Sequence, residues 1–93
     1  MPFKRKMYFF EEKPAQDLEP EAFIRSLKHY ERVVLNQRYL RHNTWDEMRR
    51  YYESNSRMLG QHVTDLILGA IARLSAYEER KGVTLDTFIA QMN

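Results

Sequence analysis

Apolar residues recur at helical spacing from Trp45 to about Tyr77, and this long pattern constrains the fold more than any other feature. At 100° per residue the following positions lie within about 50° of one direction: Met48, Tyr52, Leu59, Val63, Leu66, Ile67, Ala70, Leu74 and Tyr77. A straight helix over roughly this span is about 50 Å long, whereas a compact chain of 93 residues has a radius of gyration of about 12 Å. The pattern predicts a central helix, about residues 44–81, that extends beyond its own domain.

The weakest part of this predicted helix lies between Glu53 and Gly60. Ser54, Asn55 and Ser56 are poor helix formers, and Gly60 follows them. The apolar stripe nevertheless keeps its phase across Gly60, which two independent helices have no reason to do. We therefore expect one continuous helix, with a break near Gly60 as the alternative.

Capping residues mark the ends of two predicted helices. Thr44 and Glu47 form a capping box at the start of the long helix. Gly82 suits the left-handed position that ends a helix, and Thr84 then precedes a short helix from Leu85 to about Gln91. We expect the apolar face of this C-terminal helix to fold back onto the long helix. Its members are Leu85, Phe88, Ile89 and Met92.

An earlier helix is predicted to start near Glu19, because proline is favoured at a first helical position and Pro20 follows. Its apolar stripe consists of Phe23, Leu27, Tyr30 and Val34. The next positions on this stripe are Arg38 and Arg41. Either the helix turns near Asn36, or it runs on and presents both arginines to solvent or to a ligand.

The N-terminal segment, residues 1–18, reads as an arm and a linker. Phe3 to Phe10 is rich in aromatic residues, which favour strands, so this stretch is either a short strand or an extended arm. The fold prediction is therefore an all-α chain with three helices. It forms a single helical domain over residues 1–93, with its helical core in residues 19–93.

A second row of residues on the long helix predicts self-association. It runs beside the main stripe and consists of Tyr51, Met58, Gly69 and Ala76. Two rows on one helix imply two neighbours, and the commonest second neighbour is a symmetry-related copy of the chain. We expect a homodimer or a higher oligomer, with a monomer that has one wide core face as the alternative.

Several function classes are disfavoured by composition. The chain has no cysteine, which excludes thiol catalysis and disulfides and leaves a cytoplasmic location as the expectation. No apolar run reaches 18 residues, so no transmembrane helix is predicted. His62 and Asp65 share a helix face without further ligands, and the three glycines are isolated rather than grouped in a phosphate loop. We therefore expect no enzyme activity, no metal and no cofactor.

Positive charge is concentrated in the middle of the chain. The formal net charge is +2, but Lys28 to Arg57 contains seven basic and four acidic residues, interleaved with aromatic ones. Arginine neutralises phosphates and aromatic rings stack on bases, so this mixture is compatible with a nucleic-acid surface. The candidate contacts are Arg38, Arg41, Arg49, Arg50 and Arg57. The alternative is a solvated helix face with ion pairs between successive turns.

The chain is thus expected to be a small, oligomeric, non-enzymatic helical binding protein. One hypothesis is nucleic-acid binding through the arginine-rich turn. The other is an adapter or inhibitor that acts on a larger protein complex through its helical surface and its aromatic arm. Phe9 and Phe10 are candidate interface residues for this second hypothesis, because aromatic side chains dominate protein interfaces.

Overall fold

The computed structural model describes the backbone of residues 13–92 and the side chains of residues 15–92, and every regular element in this range is helical. The prediction of an all-α fold is confirmed, although the helices are more numerous and shorter than the three expected. The elements are α1 (Lys13–Gln16), α2 (Pro20–Ser26), α3 (His29–Arg41), α4 (Trp45–Ser54), α5 (Ser56–Leu59), α6 (Gln61–Lys81) and α7 (Leu85–Met92). The predicted strand or arm at Phe3 to Phe10 lies outside the described residues.

The first predicted helix is divided in two by a bend. It begins at Pro20 as expected, but Leu27 and Lys28 have extended backbones, with ψ values of 145° and 161°. The new helix start is capped by Glu31, whose Oε1 accepts a hydrogen bond of 2.9 Å from the Lys28 amide. Beyond the bend, α3 passes Asn36 and continues to Arg41, so the expected alternative of a turn at Asn36 is wrong.

The long central helix is also divided, and the prediction of its continuity is wrong. A kink at Asn55 separates α4 from α5, and Gly60 separates α5 from α6. Gly60 has φ 91° and ψ 151°, a backbone conformation that residues with a Cβ avoid. At the kink, the Asn55 side chain donates a hydrogen bond of 2.7 Å to the Tyr51 carbonyl. The long helix is therefore interrupted at the poor helix formers that the sequence contains.

The chain reverses direction at Gly60, so that α4 and α5 form a helical hairpin with α6. α4 packs along α6, and Trp45 at the start of α4 donates a hydrogen bond of 2.7 Å from Nε1 to Glu78 Oε1, near the end of α6. The radius of gyration is 13.0 Å, close to the value expected for a compact chain. The apolar stripe keeps its phase because both legs of the hairpin face the same core.

The core surrounds the C-terminal half of α6. The ring of Phe23 from α2 stacks on Tyr77 with 3.8 Å between centroids, and the Tyr77 hydroxyl donates a hydrogen bond to the Leu18 carbonyl. The buried apolar residues are Phe23, Ile24, Leu27, Val34, Leu35, Met48, Tyr52, Ala70, Ile71, Leu74, Tyr77, Leu85 and Ile89. None of these comes from residues 53–63.

The predicted helix ends are confirmed at both capping sites. The Thr44 hydroxyl accepts from the Glu47 amide at 3.0 Å, and Glu47 accepts in return from the Thr44 amide. Gly82 is left-handed, with its amide 2.8 Å from the Glu78 carbonyl. The C-terminal helix forms where expected, but it packs mainly on α2 and α3 rather than on the long helix. This helix therefore contacts both helices that flank the bend at Leu27 and Lys28.

Candidate interaction surfaces

Arg38, predicted as a nucleic-acid contact, is part of an internal network. Its Nη1 donates to Asp86 Oδ1 at 2.5 Å and approaches Glu78 Oε2 at 3.4 Å, and its guanidinium lies 4.6 Å from the centroid of the Trp45 ring. Glu78 Oε2 also accepts from the Leu85 amide at 2.8 Å. Only 14% of the Arg38 side chain is exposed, so this residue joins four helices and offers little to a ligand.

Arg49 and Arg50 lie exposed on α4 and are paired with carboxylates of the same helix. Both donate hydrogen bonds to Asp46, and Arg49 Nη1 lies 3.3 Å from Glu53 Oε1. These hydrogen bonds hold the pKa of Asp46 below its ordinary value, and the same pairing raises the pKa of Arg49. Two arginines and two carboxylates together carry no net charge. A phosphate would therefore have to compete with Asp46 and Glu53 for the arginines.

Arg41 and Arg57 complete the predicted arginine set, and both side chains are exposed. Arg41 is the last residue of α3, and Arg57 lies in α5. Within the described residues neither forms an ion pair with a carboxylate. The five arginines therefore occupy three environments: an internal network, a neutral ion-pair cluster and two separate exposed positions.

Apolar side chains are exposed at the hairpin tip, which we define as residues 55–63. Met58 is 73% exposed and Val63 is 41% exposed. Val63, Ala70 and Tyr77 are spaced by seven residues and therefore lie on one face of α6. Ala70 is 2% and Tyr77 0% exposed, so the face that is buried further along the helix is uncovered at the tip.

The second row of predicted interface residues is divided between the two legs of the hairpin. Tyr51 and Met58 lie on the first leg, where they are 52% and 73% exposed. Gly69 is half-buried and Ala76 exposed on the second leg. Phe9 and Phe10 lie outside the described residues. Because the helix breaks, these positions no longer form one straight row, and each leg presents its own part.

A buried ion pair was not predicted from the sequence. Glu31 is 4% exposed, and its two carboxylate oxygens lie 2.7 and 2.8 Å from Nη1 of Arg73. Arg73 also lies over the Phe23 ring, 5.3 Å from its centroid. Glu31 is buried because the bend at Lys28 turns α3 toward α6. Because the sequence predicts one straight helix through Lys28, it does not indicate that Glu31 is buried.

Within residues 13–92 no group of three or more His, Cys, Asp or Glu side chains could hold a metal ion. No helix in the same range is long and apolar enough to cross a membrane. No protein-family model, curated protein or solved structure matches the chain. The function is therefore inferred from the surfaces of the chain itself.

Proposed function

We propose that this chain is a non-enzymatic protein-binding module, an adapter or an inhibitor, whose principal contact surface is the hairpin tip. The observation that carries the proposal is the exposure of Met58 on α5 and Val63 on α6, at 73% and 41%. Val63 lies on the face of α6 that is buried further along the helix. A partner that covers this face removes apolar surface from water, which is the main driving force for association.

The side chains at and beside the tip are of types that suit a protein interface. Methionine adapts to irregular surfaces and is enriched at interfaces, as are tyrosine and arginine. Tyr51, one helical turn before the kink, packs edge-on against Tyr52 with 5.1 Å between ring centroids. This contact limits the motion of the Tyr51 ring while half of the residue stays exposed, which lowers the entropy lost on binding.

A second copy of the chain is one eligible partner, because it presents the same apolar tip. Two helical hairpins that pack together form a four-helix bundle, an arrangement that suits a two-fold dimer. We include homodimerisation in the proposal on this ground. Light scattering after size exclusion is then expected to give about twice the chain mass of 11.3 kDa.

The test compares two variants of exposed apolar residues. The tip variant carries Met58→Glu and Val63→Glu, and the control carries Leu40→Glu, which replaces a side chain that is 73% exposed on α3. Each protein is examined by light scattering and by nuclease-treated affinity capture. We expect the tip variant to lose self-association or captured proteins while the control keeps them. Equal behaviour of wild type and tip variant in both measurements would contradict the proposal.

Nucleic-acid binding is the second candidate function. It is favoured by Arg41 and Arg57, which are exposed and, within the described residues, have no carboxylate partner. If these side chains bind phosphates, the affinity for a generic duplex falls steeply with salt, by a slope of about 0.9 per phosphate contact. Arg41→Gln with Arg57→Gln should lower both affinity and slope in a gel-shift titration. Absence of a shift at low salt would contradict this second candidate.

A further inference from the structure

A pocket of about 160 Å³ opens where α2, α3 and α7 meet. None of its lining residues belongs to the hairpin tip. Its lining residues are Ile24, Arg32, Leu35, Asn36, Ile89 and Met92. Leu35 is fully buried, and Ile24 and Ile89 are each 6% exposed, so these side chains form an apolar floor. A volume of about this size is large enough for a benzene ring.

The rim of the pocket is positively charged. Arg32 Nη2 donates a hydrogen bond of 3.1 Å to the Arg25 carbonyl across the bend between α2 and α3. This bond uses one Nη2 hydrogen, and no described residue accepts from the second Nη2 hydrogen, from Nε or from Nη1, so one fork of the guanidinium stays available. Arg25, in the last turn of α2, and Lys28, in the bend, are also exposed, although neither lines the pocket. Within residues 15–92, Arg25, Lys28 and Arg32 form no ion pair with a carboxylate.

The polar part of the pocket favours an anion. None of the lining residues is acidic, and the Asn36 side chain, one helical turn after Arg32, adds an amide donor at the rim. An arginine fork matches the two oxygens of a carboxylate, and hydrogen bonds between charged groups are the stronger ones. Arg32 would repel a cationic ligand, and a neutral apolar ligand would leave the guanidinium unused.

We propose that this pocket binds a small carboxylate that has one compact apolar group, with the carboxylate on Arg32 and the apolar group against Leu35, Ile24 and Ile89. The site is independent of the protein-binding surface at the hairpin tip. A ligand of about ten non-hydrogen atoms in such a shallow site is expected to bind with a dissociation constant of about 1 mM.

The probe for this proposal is phenylacetate, titrated into the full chain labelled with ¹⁵N and with ¹³C at methyl groups. We expect saturable shifts of the Ile24, Leu35 and Ile89 methyl signals. Benzyl alcohol has a similar apolar group but no charge, and it should bind about tenfold more weakly, since a charge-assisted hydrogen bond contributes roughly this factor.

Matched variants separate the pocket from general charge effects. Arg32→Gln removes the positive charge at the pocket rim and should weaken phenylacetate binding by about tenfold. Arg57→Gln removes the same charge at the hairpin tip and should leave phenylacetate binding unchanged. Both positions are exposed, so the fold should persist, and circular dichroism checks this. Absence of saturable shifts, equal binding of benzyl alcohol, or equal loss in both variants would each overturn the proposal.

Discussion

The two ends of α6 carry the same apolar stripe but are covered very differently. At the base, which we define as α2, α3, α7 and residues 70–81 of α6, Leu74 and Tyr77 are both 0% exposed. At the hairpin tip, Val63 on the same face is 41% exposed. An apolar face thus stabilises the fold where neighbouring helices cover it, and becomes available for binding where they end.

Polar contacts follow the same division. At the base, Glu78 joins Trp45, Arg38 and the Leu85 amide in one partly buried network. On α4, Arg49 and Arg50 form ion pairs that are exposed to solvent. Buried hydrogen bonds to charged groups are costly to break, whereas exposed ion pairs contribute little. Stability and function should therefore separate along the molecule.

The largest difference is expected between two apolar substitutions on α6. Leu74→Ala removes a fully buried side chain and should lower the free energy of unfolding by about 2 to 5 kcal/mol. Val63→Ala at the tip should cost less than about 1 kcal/mol, because much of that side chain is already in water. Urea unfolding followed by circular dichroism measures both. Similar losses would show that the tip is part of the core.

The next difference compares two glutamates. Glu78→Ala removes the acceptor of the Trp45 and Leu85 hydrogen bonds and leaves Arg38 with Asp86 alone, so a cost of about 2 to 3 kcal/mol is expected. Glu53→Ala removes an exposed partner of Arg49 and should cost less than about 1 kcal/mol. Thermal or urea denaturation of the two variants measures both losses of stability. A larger loss for Glu53→Ala would show that the exposed ion pairs on α4 stabilise the fold more than the Glu78 network does.

Much of this division follows from local sequence, and some of it does not. The caps at Thr44 and Gly82 and the C-terminal helix were predicted correctly because they depend on residues that are close together in the chain. The bend at Leu27 and Lys28 has no glycine or proline to mark it, and its cap by Glu31 only matters once the chain has turned. The pocket beside this bend, with Arg32 at its rim, is therefore not predicted from the sequence.

The arginine predictions show a related limit. Arg38 lies on the continuation of an apolar stripe, and the sequence predicted that a helix running on would present it to solvent or to a ligand, whereas only 14% of its side chain is exposed. Its partners Glu78 and Asp86 are 40 and 48 residues away, and no local pattern could pair them. The pairing of Arg49 and Arg50 with Asp46, in contrast, is local and was contained in the alternative of a solvated helix face.

A smaller effect is expected at the turn that makes the hairpin. Gly60→Ala places a Cβ where no other atom lies within 4 Å, so the change tests backbone strain without a clash. With φ at 91°, the substitution should cost about 1 to 2 kcal/mol. The same change at Gly69, in the middle of α6, should be neutral or stabilising, since alanine favours helices. Urea midpoints for the two variants provide the comparison, and a neutral Gly60→Ala would mean that the turn is not held in this conformation.

The smallest effect concerns Asp46 on the exposed face of α4. Its pKa is lowered by hydrogen bonds from Arg49 and Arg50, so the folded state binds its proton less readily than the unfolded state. The stabilisation is therefore present above the ordinary pKa of an aspartate, about 3.9, and is lost as the pH falls through the lower pKa of the folded state. Asp46→Asn should slightly lower the urea midpoint at neutral pH, less so at high salt. The curves of wild type and variant should converge in acid, and a gap that stayed constant from neutral to acid pH would show that these ion pairs contribute nothing.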